Sequence, residues 1–144
     1  MNLITKHLLR ISRKAQGCVG DIVKKHGITS SEQPFVMAMY REDGITQEQL
    51  TKIVGLDKSQ TSRAIASLER KALIVREKNN ADMRSNRIYR TELLCEKVQA
   101  ILPELTMFNQ AIMMNISDEE KAMLETILQK LEVAVTAFDD KDNK

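Results

Sequence analysis

The chain has 144 residues, a formal net charge of +2, two Pro, five Gly, two Cys, no Trp and only 3% aromatic residues. That length suits one domain or one compact unit with helical extensions, and a composition rich in Leu, Ile, Met, Ala, Lys and Glu favours helix, because unbranched side chains lose little rotamer freedom there. No apolar run reaches the roughly 18 residues a membrane span needs. The N-terminus MNLITKHLLRISRK has neither an apolar core nor a cleavage site, so a cytoplasmic location is expected.

The first predicted helix covers about Leu3 to Lys25. Ile4, Leu8, Ile11, Ala15, Cys18, Val19 and Ile22 recur at i, i+3, i+4 spacing and give it one apolar face. Gly27 is a natural stop. A second helix is expected to start near Thr29–Ser31, with Pro34 in its first turn, where a missing N–H costs least. Phe35, Val36, Met39 and Tyr40 form its stripe, and Asp43-Gly44 ends it.

The third helix carries a full start signal. Thr46 and Gln49 have capping-box spacing, and Ile45 and Leu50 occupy staple positions. It runs from Gln47 to about Val54, Gly55 ends it, and Leu56 is expected to plug the following turn. Asp57, with Gln60 three residues on, caps a fourth helix. Two short helices joined by a tight Gly-containing turn make a helix-turn-helix. In the fourth helix Ala64, Ile65 and Leu68, with Leu73 beyond it, are expected to point inward. Ser59, Gln60, Ser62, Arg63, Ser67 and Arg70 lie largely off that stripe. Short hydroxyls, an amide and an arginine near a helix N-terminus suit a DNA groove, where Arg pairs with guanine and Gln with adenine.

Ile74–Lys78 and Arg87–Arg90 then read as antiparallel strands around a turn-rich loop, Asn79 to Asn86. An arginine at such a loop tip can enter a narrow minor groove. Charge follows this organisation. Residues 57–90 hold nine Lys or Arg against four Asp or Glu, a local +5, whereas residues 91–144 hold five Lys against eleven acids, a local −6. A basic middle beside an acidic end is expected when one region faces phosphate and another does not. A long apolar stripe, Leu94, Val98, Ile101, Leu102, Leu105, Phe108 and Ile112, marks a fifth helix from Thr91 to about Met114, interrupted by Pro103. Ser117 and Glu120 open a last helix with Leu124, Ile127, Leu128, Leu131, Val135 and Phe138 on one face.

The segment ITQEQLTKIVGLDKSQTSRAIASLERKALIVRE and the Asp82-Met83-Arg84-Ser85 wing signature followed by Arg87 resemble the MarR family of winged-helix regulators. The resemblance covers nearly the whole chain. The fold expected is mainly α with a small antiparallel β wing. Residues 1–28 are expected to form an N-terminal dimerisation helix, 29–90 the winged helix-turn-helix, and 91–144 the C-terminal dimerisation helices. The resemblance implies a homodimer that binds a pseudo-palindromic double-stranded DNA operator, usually represses, and is released by a small-molecule effector or an oxidant. It places Lys58, Ser59, Gln60, Thr61 and Arg63 in the DNA-reading helix. It places Asp82, Arg84, Ser85 and Arg87 in the DNA-binding wing, with Asp82 organising Arg84. The family commonly continues Leu-Thr-Glu-x-Gly, whereas this chain reads Arg90-Thr91-Glu92-Leu93-Leu94.

Cys18 lies roughly where a peroxide-sensing branch keeps its reactive cysteine. It also sits on the apolar stripe of the first helix, and core packing is the expectation because free cysteine is among the most buried residue types. Cys95 is read the same way. His7 and His26 are too isolated for a metal site, and no cofactor is implied. No nucleophile–base pair or phosphate loop suggests an enzyme. The rival reading is a winged-helix module that binds protein rather than DNA, which would need neither Arg84 nor a steep salt dependence.

Overall fold

The computed structural model describes residues 2–78 and 86–142. Along the chain run α1 (Leu3–Lys24), α2 (Gln33–Arg41), β1 (Ile45–Thr46), α3 (Gln47–Val54), α4 (Lys58–Arg70), β2 (Ile74–Lys78), β3 (Asn86–Arg90), α5 (Glu92–Met113) and α6 (Asp118–Asp142). The mainly α fold with a small β wing is as expected. The chain divides into two compact units after Leu105, so α5 contributes its first part to one and its last part to the other.

The first unit is built around one apolar core. Phe35, Val36 and Met39 of α2, Leu50 of α3, Ile65 and Leu68 of α4, Ile74 and Ile88 of the sheet, and Leu94, Val98 and Ile101 of α5 are all essentially inaccessible to solvent. Each such side chain contributes about 1.5–3 kcal/mol relative to its exposed state. Helix α1 joins this core only through its C-terminal end. Val23 is buried, with Val19 and Ile22 packed beside it, while Ile4 and Ile11 are each 62% exposed. The apolar stripe read from the sequence is therefore real, but much of it is exposed among the described residues.

Helix α2 starts later than the sequence suggested. Thr29 and Glu32 instead form a reciprocal turn: Glu32 N–H donates to Thr29 Oγ1 at 3.2 Å and Thr29 N–H to Glu32 Oε2 at 3.0 Å. Regular helix follows from Gln33, with Pro34 in the first turn.

The sheet holds three strands in the order β1-β3-β2, all antiparallel. The two wing strands were expected, but β1 was not. Ile45 pairs with Ile88 and Thr46 with Arg87, which makes β3 the central strand. The approach to β1 requires Gly44 at φ +67°, where a Cβ would also stand 3.0 Å from the Tyr89 ring.

Beyond Leu105, the last part of α5 and α6 form the second unit. Ser117 and Glu120 close the expected capping box, with Ser117 N–H donating to Glu120 Oε2 at 2.8 Å and Glu120 N–H to Ser117 Oγ at 3.1 Å. Val133, Val135 and Phe138 are each about 70% exposed. Ile127 and Met123 are exposed as well.

Between α4 and β2 the chain turns through Ala72 at φ +59°, the one non-glycine residue with positive φ among those described. The helix closes there by Ala72 N–H donating to Glu69 O and Leu73 N–H to Leu68 O, both at 3.0 Å, a Schellman-type end that usually takes glycine. A Cβ in this region is strained. Ala72→Gly is expected to raise the unfolding free energy by about 0.5–1 kcal/mol, read as a higher urea midpoint at unchanged slope.

Candidate nucleic-acid interface

Helices α3 and α4 form the predicted helix-turn-helix through two consecutive capping boxes. Thr46 Oγ1 accepts from Gln49 N–H at 3.1 Å, and Gln49 Oε1 accepts from Thr46 N–H at 2.9 Å. Gly55 then turns the chain at φ +74°, with its N–H donating to Thr51 O at 3.0 Å. Asp57 Oδ1 accepts from Gln60 N–H at 2.7 Å and Gln60 Oε1 from Asp57 N–H at 3.3 Å. Two cross-links fix the pair. Thr51 and Thr61 hydroxyls meet at 2.9 Å, and Gln47 Nε2 donates to Ser62 Oγ at 2.7 Å. Leu56, expected to plug the turn, is instead 37% exposed and borders the groove that Gln60 and Arg63 line.

The rotation of α4 about its axis decides what it presents. Ala64, Ile65 and Leu68 are buried, as expected. Lys58, Ser59, Gln60, Ser62, Arg63 and Arg70 are exposed. Of the candidate readers, Thr61 must be withdrawn. It is 0% exposed, its hydroxyl donates to Asp57 O at 2.9 Å, and it anchors the helix rather than facing outward. Ser67 also differs from the outward face it was assigned. It is half-buried and donates to Glu32 Oε1. Gln60 is exposed, and its side-chain oxygen serves the cap.

The wing follows directly. Five residue pairs from Ile74↔Arg90 to Lys78↔Asn86 join β2 to β3. Arg87, on the exposed side, donates from Nη1 to Gly44 O at 2.6 Å, so its guanidinium braces the β1 approach. Arg76 Nε lies 3.3 Å from Glu69, tying β2 to the end of α4. Asp82, Arg84 and Ser85 lie outside the described residues. The arrangement thus offers a polar helix face bearing Lys58, Ser59, Gln60 and Arg63, with a two-stranded extension immediately after it in sequence.

Residues 26–85 match the sequence profile of the MarR family. Across 93% of the chain the fold superposes on 97% of a MarR transcriptional regulator from Methanosarcina mazei Go1, with a TM-score of 0.82 and 27% identity. Over residues 26–85 the sequence resembles the MarR family, and the fold of nearly the whole chain resembles that of a MarR regulator. An HTH-type transcriptional regulator of Bacillus subtilis, YdgJ, is 27% identical over 105 residues, covering 73% of this chain. The chain spans 64% of the length of that curated relative. A MarR-family regulator from Listeria monocytogenes, solved in complex with a 26mer DNA, shares the fold at 23% identity and a TM-score of 0.87, over 94% of this chain and 90% of its own.

The departure from the usual MarR pattern after the wing has a structural account. Arg90, where the family commonly has Leu, places its guanidinium over the Tyr40 ring, 5.9 Å from the centroid, and donates to Tyr40 O. Its backbone N–H donates to Asp43 Oδ1 at 2.9 Å. It therefore clamps β3 to the end of α2. Thr91 does cap α5, accepting from Leu94 N–H at 3.3 Å, while its hydroxyl reaches Ala72 O at 2.8 Å. Leu94, in the place of the family's Gly, is fully buried in the core.

Glu32 has a role that its local sequence does not reveal. Glu32 is only 3% exposed and is, with Thr61, one of two buried polar residues among those described. Lys71 Nζ lies 2.8 Å and 3.0 Å from its two oxygens, and Ser67 Oγ and Thr29 N–H also donate to it. The Thr29-x-x-Glu32 spacing was a capping-box signal; its pairing with Lys71 had no local trace. Burial alone would raise the Glu32 pKa, but the hydrogen bonds from Lys71, Ser67 and Thr29 outweigh it and hold the carboxyl below its ordinary range. Glu32 also lines a groove of about 1010 Å³ between α1, the start of α2 and α4, along with Gln16, Val19, Gln60, Arg63 and Ser67.

Cys18 does not pack in the core. It is exposed, because α1 meets the rest of its unit only near Val23. Cys95 is half-buried. His26 is less isolated than its sequence position implied, with Nε2 3.5 Å from Glu104, which also accepts from Lys25 at 2.8 Å.

A carboxyl whose folded pKa is lowered stabilises the fold fully above its unfolded value and loses that contribution as pH falls through the folded value. Glu32 therefore makes the first unit acid-sensitive below about pH 4.5, the ordinary carboxyl value. Urea midpoints measured from neutral pH downward are expected to fall more steeply below that pH for the wild type than for Glu32→Gln. Parallel curves would mean that Glu32 carries no such linkage.

Proposed function

We propose that this chain is a homodimeric, sequence-specific DNA-binding regulator of transcription, acting as a repressor on a pseudo-palindromic operator. The observation that carries the reading is the outward polar face of α4, where Lys58, Ser59, Gln60 and Arg63 stand exposed on a helix whose opposite face is locked into the core. A helix held this way can lie in the major groove with its N-terminal residues against base edges. In this reading Arg63 and the Gln60 amide read bases, and Lys58 and Ser59 bind phosphate. Arg84 in the wing enters the minor groove, with Asp82 organising it and Ser85 and Arg87 supporting the contact. The Listeria relative's complex with DNA supports this use of the fold.

The exposed apolar residues of α1 and α6 support a two-fold interface between copies of the chain. Leu3, Ile4, Ile11, Val133, Val135 and Phe138 are each at least 62% exposed, more apolar side chain than a monomer usually leaves to water in one class of helix. Such a dimer would set two α4 helices about one DNA turn apart. The groove bordered by α1 and α4 is large enough for a small-molecule effector, and an occupant there would touch Gln60 and Arg63 directly. Release by oxidant at Cys18 is the second route, and the exposure of its thiol is consistent with it. No helix among the described residues is long and apolar enough to cross a membrane, in keeping with a proposed place in the cytoplasm.

Fluorescence anisotropy with DNA from upstream of the chain's own gene tests the reading. Binding is expected to weaken steeply with salt, with a slope of about −0.9 per phosphate contacted. Arg63→Ala should relax base preference at one position by about 1–3 kcal/mol. Arg84→Ala should weaken all sequences alike and reduce the salt slope by about one. Sedimentation should show a dimer. Absence of any salt-sensitive binding would favour the protein-interaction module instead.

A further inference from the structure

We infer that Glu32 is a positioning residue for the DNA-reading helix: its carboxylate fastens the C-terminal half of α4, through Ser67 and Lys71, to the capping turn that precedes α2. The inference rests on the DNA-binding reading above. The two ends of α4 are held differently. The N-terminal end is held by Asp57, Gln60 and the Thr51–Thr61 contact, all supplied by the helix-turn-helix itself. The C-terminal end has no such neighbour in α3. One polar tie runs from Glu69 to Arg76 of β2; the others reach residues about forty positions earlier.

Those ties converge on one group. Ser67 Oγ and Lys71 Nζ both donate to Glu32, and Lys71 Nζ also donates to Gly27 O at 2.9 Å. Ser67 and Lys71 are four residues apart, so they project from one side of the helix. Ser67, Ala64, Arg63 and Gln60 continue along that side and line the same groove as Glu32. A roll of α4 that freed Ser67 would therefore also displace Arg63 and Gln60. A buried carboxylate stripped of its donors is costly, so the roll is opposed at Glu32. Hydrophobic contacts through Ile65 and Leu68 tolerate small rotations; a carboxylate bonded on both oxygens does not.

Glu32→Gln separates positioning from charge. Glutamine serves equally at the third position of a capping box, so the turn before α2 is retained. Removing a negative charge should, by electrostatics alone, strengthen binding to a polyanion. Positioning predicts the opposite sign: an affinity for the upstream DNA about tenfold weaker, with the salt slope unchanged. Ser67→Ala, which removes one donor and no charge, should weaken binding about threefold. Hydrogen exchange supplies a readout that needs no DNA. Amides of residues 64–70 should exchange faster in both variants, while those of α6 stay as in the wild type.

Variants that bind as tightly as wild type, or more tightly, with unchanged exchange in α4 would overturn the inference. So would a loss of affinity in Glu32→Gln with exchange accelerated by the same factor throughout the first unit and no excess in residues 64–70, since that is general destabilisation alone. A wild type that shows no salt-sensitive DNA binding sinks the functional reading instead, and the exchange data then judge the positioning of α4 alone.

Discussion

The whole arrangement depends on the rotational setting of α4. Thirteen residues must bury one side completely and leave the other wet. Ala64, Ile65 and Leu68 exclude water from the inner side. Burial alone fixes such a helix only loosely, since apolar contacts carry no direction. Direction comes from hydrogen bonds at both ends: the Asp57 box and Thr61 at the start, Glu32 at the finish. Thr61 is instructive because its hydroxyl is spent on Asp57 O and Thr51. A polar residue in the middle of a proposed reading face is in fact what keeps that face outward.

What the sequence made legible was mostly local. Capping boxes at Thr46, Asp57 and Ser117 involve residues three apart, and each appears where its spacing indicated. The strands around the wing were legible from turn-forming residues between two short β-rich runs. Features that depend on distant partners were not. Strand β1 is two residues long and exists only because Ile45 and Thr46 find Ile88 and Arg87. Glu32 and Lys71 are an ordinary acid and base until the fold brings them within 2.8 Å. Cys18 shows the limit of periodicity in the other direction. A stripe at helical spacing reports that a helix has an apolar face, but not whether the same chain supplies its cover.

The distribution of charge and exposure separates two tasks. The basic excess lies in residues 57–90, on the helix-turn-helix and the wing. The acidic excess lies in residues 91–144, where α6 carries both its acids and a row of exposed apolar side chains. A surface of this second kind repels phosphate while remaining adhesive to another apolar face. The basic and acidic excesses thus fall on different stretches of the chain.

Thr46 belongs to two elements at once. Its side chain caps α3, and its backbone pairs with Arg87 of β3, while Arg87 in turn holds Gly44 O. The wing strands and the helix-turn-helix therefore meet without a linker. A tilt of β3 cannot be absorbed by a hinge at this junction; it must drag the first turn of α3 with it, and α4 through the Gln47–Ser62 bond. Mechanically, β3 is geared to the helices, and a force that tilts this strand would be felt as torque on α4.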